Sequence, residues 1–304
     1  MKRFFVILLA VLLLSACAST EPDFVDSALF CTDATGANVM LPHRPTKVAV
    51  LFSSFADIWV RAGGKVAITV GESVERGFAD ENSILVDGGA GKTIDNEALI
   101  AACPDLVICS ADISAQLDTA ILCRNAGIPA VALQVESFDD YINVLKLFTT
   151  LTGESENFTL YGEDVKDEVT ILKEYKNDAS ILFIRTGSSA RSTKAKVADD
   201  HFAAAMLREL GTHNIAENAP ILLDGLSFEE VLAKDPQHIF ISTMGDENAA
   251  KEYMNSLLES TEWAVLSAVK NGNVHYLPKE LFQYKPNARW GEAYAYLIDI
   301  LEGN

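Results

Sequence analysis

What this 304-residue chain lacks narrows its function before any motif is considered. Cations are scarce: 24 Lys and Arg face 43 Asp and Glu, for a formal net charge of −19. So acidic a chain is a poor partner for nucleic acid or anionic lipid, and it suits a basic docking surface. Cysteine is sparse, and its five copies show neither a CxxC nor a Cys/His metal spacing. The histidines His43, His201, His213, His238 and His275 form no i,i+4 pair. A zinc or haem site would therefore need one of them with a Tyr or carboxylate from elsewhere, and His201 is the best placed. No GxSxG is present, and no Ser-His-Asp or paired-carboxylate arrangement stands out, so no residue pattern supports an enzyme. Beyond the first residues no apolar run reaches transmembrane length.

What is present begins with a leader. Lys2-Arg3 precedes an apolar run over 4–14, and Leu14-Ser15-Ala16-Cys17 follows. The run is too short to span a bilayer permanently, and small residues precede the cut. The pattern resembles a bacterial lipobox, in which Cys17 is lipidated and becomes the new N-terminus. Residues 1–16 then form a signal peptide and 17–30 a lipidated cysteine with a short tether. The remainder works outside the cytoplasm, anchored to a membrane surface, where ATP or NAD chemistry is not expected. Of the other cysteines, Cys103, Cys109 and Cys123 sit in apolar contexts that predict buried unpaired thiols, and Cys31 has no evident partner.

From Lys47 onward, short apolar runs alternate with helical patterns. Strands are predicted over 48–52, 66–70, 84–86, 106–109 and 130–135, with helices over 55–62, 96–102, 115–126 and 138–151. Unbroken apolar strands between helices indicate a parallel α/β sheet covered on both faces. A charged helical stretch occupies roughly 154–175. Alternation then resumes, with strands over 181–184, 238–242 and 274–277. Helices are predicted over 201–210, 228–233, 249–259, 264–270 and 288–301. The reading is two α/β lobes with mainly parallel sheets, at 31–153 and 179–304, joined by a single long helix at 154–178. A local repeat relates the lobes: Glu97 and Glu229 each open a helix and stand seven residues before a proline, Pro104 or Pro236, that leads into a strand. Ser227-x-x-Glu230 also reads as a capping box.

Three segments carry candidate chemistry. Residues 87–93 (DGGAGKT) suggest a phosphate loop, but Val86 stands where the pattern needs glycine. They are read instead as a Gly-rich loop, with Lys92, at the edge where α/β sheets bind ligands. Residues 185–196 form the most basic stretch beyond the leader, and Arg185, Arg191 and Lys194 there suit an anionic ligand. Residues 281–290 combine aromatics, cations and amides; Tyr284 and Arg289 are candidate ligand contacts, Trp290 a core residue and Asn287 a helix cap. Phe55 and Phe78 follow strands and are read as exposed at that ligand-binding edge, with the rest of 71–78 beside Phe78, whereas Trp59 is expected to be buried.

The order of motifs resembles the periplasmic-binding proteins of the iron-siderophore and cobalamin type. The resemblance rests on Thr32-Asp33-Ala34 with Gly36 and Leu41-Pro42, on Glu97 through Pro104-Asp105, on Glu229 through Pro236, on Leu210-Gly211 with Asn214, and on Lys285-Pro286-Asn287 through Trp290. It covers nearly the whole chain after the tether. It implies two lobes on a rigid helix, a ligand in the cleft between them, and delivery of a metal chelate to the permease and ATPase of an ABC importer. A ferric siderophore is the first expectation, with cobalamin and haem as alternatives. It also implies a monomer with no cofactor or metal of its own, and permease docking through Glu97 and Glu229. A secreted α/β hydrolase or a surface adhesion protein is the reading from outside that class.

Overall fold

The computed structural model describes residues 29–42, 44–87 and 93–303. Cys17, His43 and Lys92 lie outside them. The first element is an antiparallel hairpin, β1 (Leu29–Thr32) with β2 (Asn38–Leu41). Its turn is built by Asp33, whose carboxylate accepts the N–H groups of Thr35 (2.9 Å) and Ala37 (3.1 Å). Gly36 closes the turn at φ +81°. The same carboxylate takes Arg124 at 2.9 Å and the N–H of Ala132 at 3.1 Å, fastening the hairpin to the first lobe. Burial opposes its charge, but these hydrogen bonds outweigh that and hold the Asp33 carboxyl below its ordinary range.

The first sheet comprises β3 (Val48–Val50), β4 (Val66–Thr69), β5 (Ile84–Leu85), β6 (Leu106–Ser110) and β7 (Ala130–Leu133). All are parallel, in the order β5-β4-β3-β6-β7. The helices between them are α1 (Ser53–Arg61), α2 (Gly71–Glu75), α3 (Asn96–Ala101) and α4 (Ser114–Asn125), with α5 (Phe138–Thr152) after β7. Strand order reverses between β3 and β6, the topological switch where such sheets open a crevice. Buried Gln116 spans it, donating to the Leu51 carbonyl and accepting the Ser110 N–H, each at 2.7 Å.

The linking helix is continuous from α6 (Ser155–Phe158) through a π turn (Thr159–Glu163) to α7 (Asp164–Leu172). It ends short of the expected 178. The π turn frees the Tyr161 carbonyl, which accepts the Tyr141 hydroxyl at 2.6 Å.

The second sheet holds β8 (Ser180–Thr186), β9 (Lys194–Ala195), β10 (His213–Asn214), β11 (His238–Thr243) and β12 (Val274–Tyr276). It is parallel in the order β10-β8-β11-β12, with β9 pairing antiparallel to β8. Its helices are α8 (Phe202–Glu209), α9 (Pro220–Asp224), α10 (Phe228–Lys234), α11 (Glu247–Leu258), α12 (Ser267–Lys270), α13 (Lys279–Phe282) and α14 (Trp290–Leu301). The helix expected over 264–270 is broken into a 3-10 turn (Trp263–Val265) and α12. One core runs from β3 and α5 through the linking helix to α8 and α14, so the linking helix packs on both lobes. The contact of α7 with α14 is close: a Cβ on Gly291 would run into the Glu168 side chain. Among the described residues no helix is long and apolar enough to cross a membrane.

Three further expectations are corrected. Cys103 is exposed, because it sits at φ +47° in the turn that ends α3, while Cys109 and Cys123 are buried as expected. Ser227 makes no side-chain cap, so the capping box is not formed, whereas Asp95 caps α3 through the Ala98 N–H. Phe55 is only 2% exposed: α1 already begins at Ser53, which turns the ring into the core, edge-on to Phe52.

Candidate functional site

The carboxyl ends of both parallel sheets meet at one junction, the edge at which such sheets bind ligands. From the first lobe come residues 53–57 after β3, 71–78 after β4 and Glu136 after β7. The second lobe contributes Arg185 at the end of β8 and the segment 279–290, which Ser242 (to the Phe282 carbonyl, 3.0 Å) and Thr243 (to Gln283, 3.2 Å) tie to the end of β11.

Polar contacts cross the junction directly. Lys285 pairs with Glu136 at 2.6 Å while its ammonium stands over the Phe202 ring. Asn287, fully buried and at φ +53°, donates to the Ser54 carbonyl and to Asp57, each at 2.9 Å. It is a clamp between lobes rather than the expected helix cap. Trp290 is core as expected, edge-on to Phe138 of the first lobe and Phe202 of the second.

On the second lobe, Arg185, Arg191, Ser192, Lys194, Lys196 and Met244 line one cavity of about 200 Å³. The antiparallel pairing of β9 sets Lys194 beside Arg185, which is how a loop brings cations nine residues apart to one place. The loop's hydroxyls are largely spent holding it. Thr186 bonds Thr193 at 2.9 Å, and Ser189 bonds Ser192 at 3.0 Å. Lys196 pairs with Asp200 at 3.1 Å, but Arg185, Arg191 and Lys194 have no carboxylate at salt-bridge distance among the described residues. Three uncompensated cations on so acidic a chain make a strong local anion field.

His201 lies beside this cavity. Its ring stacks on Phe202 and leans on Phe183, and its Nδ1 accepts the Ala203 N–H at 3.2 Å, capping α8. Burial, then the charges of Arg185, Lys285 and Lys196, hold the imidazole neutral well below its ordinary pKa. Among the described residues no group of three or more His, Cys, Asp or Glu is arranged to hold a metal ion.

The remaining candidates divide. Phe78 and Tyr284 are partly exposed and are linked by Arg76, whose guanidinium lies 4.9 Å from the first ring centroid and 3.7 Å from the second. Arg289 is engaged in a two-pronged pair with Glu292 (2.7 and 2.6 Å), which raises its pKa and leaves it less available to a ligand. Glu97 and Glu229 are both exposed, in the first turns of α3 and α10. Each helix runs back against the strand it leads into, so each glutamate starts from the carboxyl edge of its own sheet. Arg76 is a residue the sequence did not single out, although its segment, 71–78, was expected to face the ligand from the first lobe. That segment is short and polar and carries no periodic signal, and what buries it comes from over two hundred residues away.

Residues 48–281 match the periplasmic binding protein family. The vitamin B12-binding protein of Pectobacterium carotovorum is 26% identical over 226 residues, 73% of this chain and 78% of that one. The petrobactin-binding protein YclQ of Bacillus subtilis superposes with a TM-score of 0.70 at 17% identity, covering 91% of this chain and 98% of that one. Staphylococcus aureus SirA, crystallised with staphyloferrin B, gives 0.65 at 19% identity over 90% of this chain and 97% of its own. The match across most of the chain and the two lobes on a linking helix lead to one conclusion: this chain belongs to the periplasmic binding protein family, as an extracytoplasmic solute-binding protein, not an enzyme, that delivers its ligand to an ABC importer.

Proposed function

We propose that the protein captures an anionic metal chelate, a ferric siderophore first of all, and presents it to its importer while tethered through a lipid on Cys17. The observation that carries this reading is the grouping of Arg185, Arg191, Lys194 and Lys196 around one cavity at the carboxyl edge of the second sheet. A multiply charged chelate matches that field, and each direct charged hydrogen bond would contribute about 1.5–3 kcal/mol. The names of YclQ and SirA accord with such a ligand. Cobalamin is the second reading, favoured by the Pectobacterium relative. Phe78 and Tyr284, with Arg289 at the margin, are the proposed wall of the site, and Lys92 a contact from the first lobe. Glu97 and Glu229 are the proposed permease contacts.

The test is titration of purified protein with ferric citrate, haemin and cyanocobalamin, followed by tryptophan fluorescence. The polyanionic chelate should bind, more weakly in high salt, and Arg185→Ala and Arg191→Ala should each cost about tenfold or more. Tight binding of cyanocobalamin with none of the ferric chelate would replace this reading by the second. The anchor is tested separately: Cys17→Ser should release the protein from the membrane fraction.

A further inference from the structure

Arg76 is an unusual arginine. Its side chain is about nine-tenths buried, at 10% exposure, yet among the described residues no carboxylate grips it closely. One amino group donates to Ser53 Oγ at 2.9 Å, and Ser53 in turn donates to Glu72 at 2.5 Å, so the hydroxyl presents a lone pair to the cation. The nearest carboxylate oxygen that faces it, on Glu280, is 3.9 Å away on a side chain 58% exposed. The guanidinium otherwise lies against rings, Tyr284 from the second lobe and Phe78 from its own. Its Nε–H has no partner among the described residues. A guanidinium offers five N–H donors, and burying a charge so weakly matched is costly.

The neighbourhood repeats the pattern. The five buried side-chain polar atoms without a partner among the described residues belong to Ser54, Ser73, Arg76, Asn287 and Trp290. All lie in the segments that form the lobe junction. Lys279 stands 5.0 Å from the same Tyr284 ring, so that ring is approached by two cations. A cation resting on a ring is held far less firmly than one in a two-pronged bond to a carboxylate. An anionic oxygen arriving in the cleft would outcompete Tyr284 for Arg76.

We infer that Arg76 is an anion-reading residue of the first lobe, parked on Tyr284 in this structure and transferring to a carboxylate-type group of the bound chelate. The inference rests on the chelate reading of the cleft and narrows it. The ligand would carry anionic oxygens at two separated points, one for the basic cavity of the second lobe and one, planar and two-pronged, for Arg76. A polycarboxylate ferric chelate has that form.

The probe is ferric citrate, with Arg76→Gln, Arg76→Lys and Arg185→Ala compared with the parent by fluorescence titration and melting. Arg76→Gln should weaken binding at least about tenfold. Arg76→Lys, which keeps the charge but not the fork, should fall between the two while melting as the parent does. If Arg76→Gln fails to fold, Arg76→Lys decides alone. Parent-like affinity in both Arg76 variants, with affinity lost in Arg185→Ala, overturns this inference and leaves the chelate reading standing. Affinity lost in Arg76→Lys only together with a matching fall in melting temperature makes Arg76 a strut between lobes and also overturns it. Failure of the parent to bind ferric citrate overturns both readings.

Discussion

Asp105 in the first lobe and Gln237 in the second make the same pair of bonds. Asp105 donates its N–H to the Lys47 carbonyl at 3.1 Å and accepts the Lys47 N–H at 3.0 Å. Gln237 donates to the Ser180 carbonyl at 2.9 Å and accepts the Ser180 N–H at 2.8 Å. Each follows a proline, and each proline follows a residue at positive φ, Cys103 at 47° and Asp235 at 40°. The internal repeat is therefore one structural device used twice: a helix ends in a left-handed residue, a proline redirects the chain, and the next side chain caps the first strand of the lobe.

That device separates two glycine substitutions. Cys103→Gly removes a left-handed residue's steric cost at an exposed thiol and should stabilise by about 0.5–1 kcal/mol in urea denaturation. Asp235→Gly relieves the same strain but gives up the bonds Asp235 accepts from the Ser267 N–H (2.8 Å) and hydroxyl (2.5 Å), so it should destabilise. Equal effects would mean that backbone strain alone governs both turns.

Acid should weaken the fold through its histidines. Burial and nearby cations keep His201 neutral, burial lowers His238, and burial with His238 pushes His275 down to about 4. The unfolded chain takes up these protons near its ordinary value of roughly 6.5, so below that pH the unfolded state binds more protons. Stability should fall as pH drops below about 6.5, with His201, the most deeply buried of the three, contributing to the fall. His201→Asn, which can still cap α8, should flatten that slope in melts at pH 7.5 and 5. An unchanged slope would assign the loss to other groups.

Asn287 should be among the costliest single positions at the junction. Asn287→Ala leaves the Ser54 carbonyl without that donor, removes a bond to Asp57 and strains a left-handed backbone, for about 2–4 kcal/mol. Asn287→Gly loses the same bonds without the strain and should be about 1 kcal/mol milder. Denaturant midpoints of the two variants give the difference directly.

The scaffold was legible because parallel strands covered on both faces are written as unbroken apolar runs; 106–109 and 130–135 needed no further signal. The linking helix was legible as a charged stretch without proline, but its end at Leu172 was not, since helix ends are set by local capping and packing. The site was legible only where its residues lie together in sequence, as from Arg185 to Lys196. Phe55 was misplaced because a position after a strand says nothing of where the next helix begins. Arg76 and Asn287 are made by contacts across more than two hundred residues, and no local pattern records such a contact.

The last expectation concerns Glu97 and Glu229. Both are exposed, both open helices that lead into the inner strands β6 and β11, and neither touches the basic cavity or Arg76. Charge reversal to Arg at either should leave ferric citrate affinity intact and lower uptake, because like charges would face a basic permease surface. Each substitution also opposes its helix dipole, at about 0.3–1 kcal/mol, so melting must be recorded beside uptake. Uptake lost by the double variant, with parent-like melting at the working temperature and parent-like ligand binding, is the expected result. Full uptake in cells that depend on this importer would remove both glutamates from the docking surface.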